Sequence, residues 1–342
     1  MSMLYHLTIL PPSWPECEAI SQEVDALRRR FGGHLIYVNP NRQAPLHIPR
    51  LFFGLHCLRE LRHLEGTARL HHLYNPDPFP FPYLLLLQRP VIYSLTGGIA
   101  RRQSVSFLRR MAAVTVMDEG SLVRLQGCGL DNVFLAQPGI DTARFTCHPL
   151  PLGPEIRLLV GSAPWTKGQF HTKGIVALLE AARREPCLHL VFLWRGVLVE
   201  EITRMVKALG IQNQVTILNE VVDVNQILAG VHASIVLATT PAIVKAYPHS
   251  SMESLAAGKP VLVSRAIPMA QYVEKAGCGG VVEAVSTDDV IAALESLIGH
   301  YPTMQKAASQ AGQRDFSQQH MIESYQRVYE RVLGSEGLLS SL

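Results

Sequence analysis

The sequence predicts an α/β protein built from two doubly wound domains, each a parallel sheet with helices on both faces. Three observations predict it. The chain has 342 residues, more than one ordinary hydrophobic core encloses. Short apolar runs alternate with helix-length amphipathic stretches through both halves, the pattern of helices packed on a parallel sheet. The segment 147–155, Cys-His-Pro-Leu-Pro-Leu-Gly-Pro-Glu, interrupts that alternation with three prolines and a glycine and reads as a linker. The domains are expected at 1–150 and 151–320, with a final helix within 321–342.

In the first half, apolar runs predict strands over 5–10, 35–38, 91–95, 114–117 and 133–136. Residues 17–31 place Ile20, Val24, Leu27 and Phe31 on one face of a helix. Residues 74–82 are rich in proline and aromatics and are expected as a loop at a sheet edge. In the second half, strands are expected over 156–160, 188–193, 215–218, 233–237, 260–264 and 280–283. Helices are expected over 174–184, 200–209, 225–229, 251–257, 269–275 and 287–298, and an amphipathic tail helix over 322–333. No internal repeat is visible.

Composition narrows the class. The chain is 48% hydrophobic and 17% charged, so it is globular and rather apolar. No run of about 18 apolar residues suggests a membrane span, and no secretory signal is visible. Six scattered cysteines without metal-type pairing suit reduced thiols of a cytoplasmic protein. Residues 1–150 carry 15 Arg and no Lys against 11 acids. This basic half, with clusters at Arg28–Arg30, Arg101-Arg102 and Arg109-Arg110, suits an anionic acceptor or peripheral contact with the inner membrane face. Solvated helix faces are the commoner explanation of any one cluster taken alone. No nucleic-acid-binding pattern is present.

The stretch from Lys245 to Val263 is the most informative. Pro248 discourages helix before it. Ser250 suits an N-cap, with Glu253 at the spacing of a capping box. Gly258 and Pro260 end the helix, and Val261-Leu262-Val263 suits a buried parallel strand. A loop entering a helix N-terminus beside such a strand offers free N–H groups and the positive end of a dipole to an anion.

These residues resemble the signature of the retaining glycosyltransferases of family 4, which have the GT-B fold of two Rossmann-like domains about a cleft. That signature is a Glu, seven residues, a second Glu, and a small-residue helix ending in Gly-x-Pro-Val. Glu253 takes the place of the second Glu, and Lys245 stands where the first should be. The resemblance extends along the chain. Residues 133–145 are similar to the segment that ends the family's first domain. Val160-Gly161 with Lys173-Gly174 and Leu178-Leu179-Glu180-Ala181 is similar to the segment that opens its second. The resemblance implies transfer of a sugar from a nucleotide sugar to an unidentified acceptor with retention of anomeric configuration, and a last helix that returns to the first domain. No Asp-x-Asp motif stands out and the family uses no bound metal, so no metal and no cofactor beyond the donor are expected.

The resemblance also assigns roles, each beside a plainer reading. Glu253 would accept the ribose hydroxyls, and as a capping-box residue it would only serve its own helix. Lys173 would meet the donor diphosphate, and is otherwise a surface lysine. Ser162 replaces the family's partner Arg beside Gly161, leaving Lys167 to supply a second cation. His249, Ser250 and Ser251 would offer hydrogen bonds to phosphate at the helix start. Arg195 follows a strand's carboxyl end, where such sheets bind ligands, or forms an ion pair. Val221 lies in the turn expected beside the nucleotide base. No catalytic residue is assigned, and Lys245, His249 and Thr96 are the candidates. Thr96 stands where the family carries a His. A nucleotide-sugar epimerase and a non-catalytic binding or scaffold protein share the fold; the donor-domain signature argues against the first, and the replacements at Lys245, Ser162 and Thr96 speak for the second.

Overall fold

The computed structural model describes residues 2–12, 18–41, 46–99, 105–161, 163–194 and 197–334. The chain forms two compact units, one of residues 1–138 with 318–342 and one of 139–317.

The first unit contains β1 (Ser2–Leu7), α1 (Ala19–Phe31), β2 (His34–Tyr37), α2 (Leu58–Leu64), β3 (Ala68–Asn75), β4 (Val91–Leu95), β5 (Ala113–Val116), α3 (Glu119–Gly127) and β6 (Val133–Leu135). The strands pair in parallel in the order β2-β1-β3-β4-β5-β6. Helix α1 starts where Glu18 accepts a 2.8 Å bond from the Ser21 N–H, and it buries Ile20, Val24 and Leu27. The C-terminal helix, Gln318–Leu333, buries Met321, Tyr325, Val328 and Tyr329 in the same core as Met3, Tyr5 and Leu70.

Strand β3 was not expected. It runs through the middle of this sheet and takes in the start of the 74–82 stretch that the sequence gives to a loop. Adjacent histidines hide it, since His71 and His72 break the apolar signal. Both are fully buried and fully engaged. His71 bonds Glu65 at 2.8 Å and His6 at 2.9 Å, while His72 bonds Tyr329 at 2.8 Å and Ser94 at 2.7 Å. Burial with partners satisfied is what lets polar residues occupy a central strand. Strand β1 also lies earlier than the expected 5–10.

The second unit contains β7 (Ile156–Val160), α4 (Gln169–Thr172), α5 (Ile175–Arg184), β8 (Leu188–Leu193), α6 (Val199–Leu209), β9 (Val215–Leu218), α7 (Val224–Ala229), β10 (Ala233–Val236), α8 (His249–Ala256), β11 (Val261–Ser264), α9 (Met269–Ala276), β12 (Gly279–Val282) and α10 (Thr287–Asp315). Its parallel order is β12-β11-β10-β7-β8-β9. The division falls at Pro138 and Gly139, ahead of the 147–155 segment. Ile140 and Phe145 belong to the core with Leu159, Met252 and Leu255, and the Ile140 N–H donates to the Phe316 carbonyl at 2.9 Å. Residues 139–145 are therefore packed structure rather than linker.

Helix α10 continues well past the expected 287–298, through Pro302. Its buried stripe of Leu294, Leu297, Tyr301, Ala308 and Ala311 outweighs the bond that one proline removes.

Candidate functional site

In the second unit, the chain leaves β7 for β8 and β9 on one side and returns to β10 on the other. The carboxyl ends of β7 and β10 thus form the switch point where open α/β sheets bind ligands. Gly161 follows β7 there. A Cβ on it would fall 2.6 Å from the Ser250 Cβ, so only glycine lets this strand end meet the first turn of α8 so closely.

The start of α8 differs from the expected capping box. Pro248 is the N-cap, with φ −63° and ψ 133°, and no side chain caps the helix. The Pro248 carbonyl accepts from the N–H groups of Ser251 and Met252, both at 3.1 Å, which moves the start ahead of Ser250. Ser250 is therefore in the first turn and Glu253 is released from capping, with a partly exposed side chain. The leading N–H groups of His249 and Ser250 have no acceptor within the helix. His249 is buried, and the fully buried Ser251 Oγ has no hydrogen-bond partner. The helix dipole adds partial positive charge at this end.

Lys173 is held beside the loop that follows β7. Gly174 holds φ +69°, and a Cβ there would lie 2.5 Å from Leu237 Cδ1, at the end of β10. The Thr239 N–H donates to the Thr172 carbonyl at 2.9 Å, fastening the loop after β10 to the end of α4. Between these ties, Lys173 is 7% exposed and its Nζ donates to the Ala163 carbonyl at 3.0 Å. Burial lowers its pKa to about 8. An anion arriving here would meet the Lys173 ammonium and the positive end of the α8 dipole.

The other expected residues are placed unevenly. Lys167 is largely exposed, 3.4 Å from Glu201. Lys245 is partly exposed in the loop between β10 and α8. Val221 is 50% exposed in the turn after β9. Ser162 and Arg195 lie outside the described residues. Thr96 belongs to the first unit, at the carboxyl end of β4. It is 1% exposed, its N–H donates to the Asn75 carbonyl at 3.0 Å, and its buried Oγ1 has no partner.

Missing β3 also meant missing the polar cluster at the first unit's own switch point, between β1 and β3. Thr8 Oγ1 donates to Asn75 Oδ1 at 2.9 Å. Arg50 donates to both Asp77 oxygens at 2.8 and 2.6 Å and to Asn75 Oδ1 at 2.7 Å, with its guanidinium 4.4 Å from the Phe79 ring centre. Burial raises the Asp77 pKa, but Arg50 and the hydrogen bonds from Asn75 and the Phe79 N–H together hold the carboxyl below its usual range. The signal was the sequence Tyr-Asn-Pro-Asp at the end of an unrecognised strand. Among the described residues, no three or more His, Cys, Asp or Glu gather as a metal site, and no helix is long and apolar enough to cross a membrane.

Residues 146–315 match the family of Glycosyl transferases group 1. No curated protein sequence matches the chain significantly. The fold is similar to that of a glycosyltransferase from Rickettsia africae ESF-5, at 13% identity and TM-score 0.72, covering 97% of this chain and 99% of that one. It is similar to sucrose-phosphate synthase from Thermosynechococcus elongatus, at 13% identity and TM-score 0.72, over 98% of this chain and 100% of that one. It is also similar to Anabaena HepE, solved in complex with UDP, at 15% identity and TM-score 0.69 over 100% of both chains.

Proposed function

We propose that this chain, a glycosyltransferase of the GT-B fold with a group 1 domain over residues 146–315, transfers a sugar from a nucleoside-diphosphate sugar to an acceptor with retention of anomeric configuration. One observation carries the reading. The carboxyl end of β7, the bare first turn of α8 and the buried Lys173 converge at the switch point of the second unit. A leaving diphosphate develops negative charge as the glycosidic bond breaks, and fixed N–H dipoles with one ammonium stabilise that charge without reorganising. These groups supply the neutralisation, so the reading needs no metal.

In this reading Glu253, which does not cap α8, accepts the ribose hydroxyls. The HepE structures with UDP and UDP-glucose support a uridine nucleotide as the first donor to try. The Arg-rich first unit suits an anionic or lipid-linked acceptor and peripheral contact with an anionic membrane surface.

The test is incubation with a panel of UDP-, GDP- and ADP-sugars and analysis of products by proton NMR. Sugar transfer, or slow hydrolysis, that keeps the donor's anomeric configuration supports the reading. Inverted product overturns retention, an isomerised sugar nucleotide points to epimerase chemistry, and failure of every donor to bind overturns the donor site.

A further inference from the structure

Large apolar side chains are seldom left exposed without a use when they lie together beside a binding crevice. Three adjacent loops of the second unit each leave one exposed. Trp165 follows β7 and is 71% exposed, Val197 follows β8 and is 47% exposed, and Val221 follows β9 and is 50% exposed. Strands β7, β8 and β9 are neighbours in that order, so the three loops that carry these residues follow one another along the carboxyl edge.

The loops are braced. The Trp165 N–H donates to Gln169 Oε1 at 2.7 Å, and Lys167 lies 3.4 Å from Glu201 on α6. The Trp194 indole N–H donates to the Val197 carbonyl at 2.6 Å, and the Trp194 N–H donates to the Leu218 carbonyl at 2.9 Å. Leu198, beside Val197, holds φ +62°, the one left-handed non-glycine residue among those described. Such a backbone is strained and persists where surrounding structure imposes it, commonly at ligand sites. Among the described residues no aromatic or cationic group packs on the Trp165 ring.

We propose that Trp165, flanked by Val197 and Val221, is the stacking surface for the donor's nucleobase. This rests on the reading of the second unit as a nucleotide site. Gly161 and Trp165 share one loop, so a diphosphate held at Gly161 and α8 has this edge beside it on the β8–β9 side. Neighbouring strands lie about 4.8 Å apart, so two steps along the sheet carry the ligand roughly 10 Å from the phosphates, leaving room for the ribose between. Every nucleobase has a flat π-face, and an indole binds it with little regard to its edge.

The experiment is titration of the full chain with UDP, GDP, uridine and pyrophosphate, read by intrinsic fluorescence and by calorimetry, in wild type, Trp165→Leu and Trp165→Phe. The chain has three tryptophans, and Trp194 is 1% exposed, so loss of the signal in Trp165→Phe assigns the quenching. UDP and GDP should quench, and pyrophosphate should not. Trp165→Leu should weaken both nucleoside diphosphates by roughly 5- to 100-fold, Trp165→Phe by much less, and neither should change pyrophosphate binding. Because the ring is exposed, both variants should melt with the wild type. If UDP binds wild type and Trp165→Leu equally, the stacking surface is wrong while the donor site stands. If no nucleoside diphosphate binds wild type, both fall together.

Discussion

Lys173 shows how one side chain can report on the site. Burial lowers its pKa from 10.5 to about 8. Between those values the folded chain binds fewer protons than the unfolded chain, so stability rises with pH through that window. Below about pH 8 the ammonium is charged in a dry place, a cost that a diphosphate would offset. Nucleoside diphosphate affinity should therefore fall above pH 8, by up to about tenfold per pH unit, because binding must restore the proton. Calorimetry across pH 7–10 checks this, and Lys173→Ala should show weaker binding with a flat profile. Equal loss of nucleoside and nucleoside diphosphate in Lys173→Ala would show that it is not a phosphate ligand.

Glu253 makes a complementary case. With Pro248 as the N-cap, its carboxylate has no capping duty, so Glu253→Gln should leave thermal stability nearly unchanged. Nucleoside diphosphate binding should weaken by roughly 1–3 kcal/mol, the scale of a hydrogen bond to a charged group. A variant that melts lower but binds normally would restore the capping reading. The sequence pattern misplaces the start of this helix, because Ser-x-x-Glu outranks proline as an N-cap signal. The Pro248 carbonyl, which no spacing rule displays, decided the matter.

At the scale of elements, regular periodicity was legible and compensated polarity was not. The second unit's strands follow short apolar runs, and its expected strands all form within a residue or two. Strand β3 was hidden because its stability comes from bonds to residues distant in sequence, such as Tyr329. The burial that accompanies those bonds makes the element acid-sensitive. Burial lowers the His72 pKa from 6.5 to about 3, and His6 is held well below its usual value. The unfolded chain binds more protons once pH falls below about 6.5, so stability is lost on acidification from that point. Each such histidine should remove about 1 kcal/mol between pH 7 and 5.5. Denaturant melts at the two pH values measure the loss, and His72→Gln should reduce it.

Helix α8 owes its position to a second close approach. A Cβ on Gly312 of α10 would lie 2.1 Å from the Leu255 backbone, and Gln313 Nε2 donates to the Ala256 carbonyl at 2.9 Å. Gly312→Leu must push the two helices apart. It should cost roughly 1–3 kcal/mol, as overpacking does, and shift the first turn of α8 against Gly161. Nucleoside diphosphate affinity should fall although Gly312 lies near the opposite end of α8. Unchanged affinity in a folded Gly312→Leu would show that the anion site does not depend on how α8 is seated.

For the whole molecule, the sequence indicated two doubly wound halves, and the family resemblance a last helix that returns to the first, but not where the chain passes from one unit to the other, because contacts rather than composition set that point. The C-terminal helix shows what its return contributes. Met321, Tyr325, Val328 and Tyr329 complete the core of the first unit, and the Tyr329 hydroxyl bonds the buried His72 at 2.8 Å. Full burial of one large apolar side chain contributes roughly 1.5–3 kcal/mol. Four such residues together rival the roughly 5–15 kcal/mol by which whole domains are stable. A chain ending at Ser317 should therefore lose the structure of the first unit, while the second unit, 139–317, keeps its own core. Hydrogen exchange should show protection lost over β1, β3 and β4 and retained over β7, β10 and β11. The truncated chain should still bind UDP but transfer no sugar. Retained protection across β1 and β3 would show that the first unit stands without this helix, and loss of UDP binding would show that the donor site needs more than the second unit.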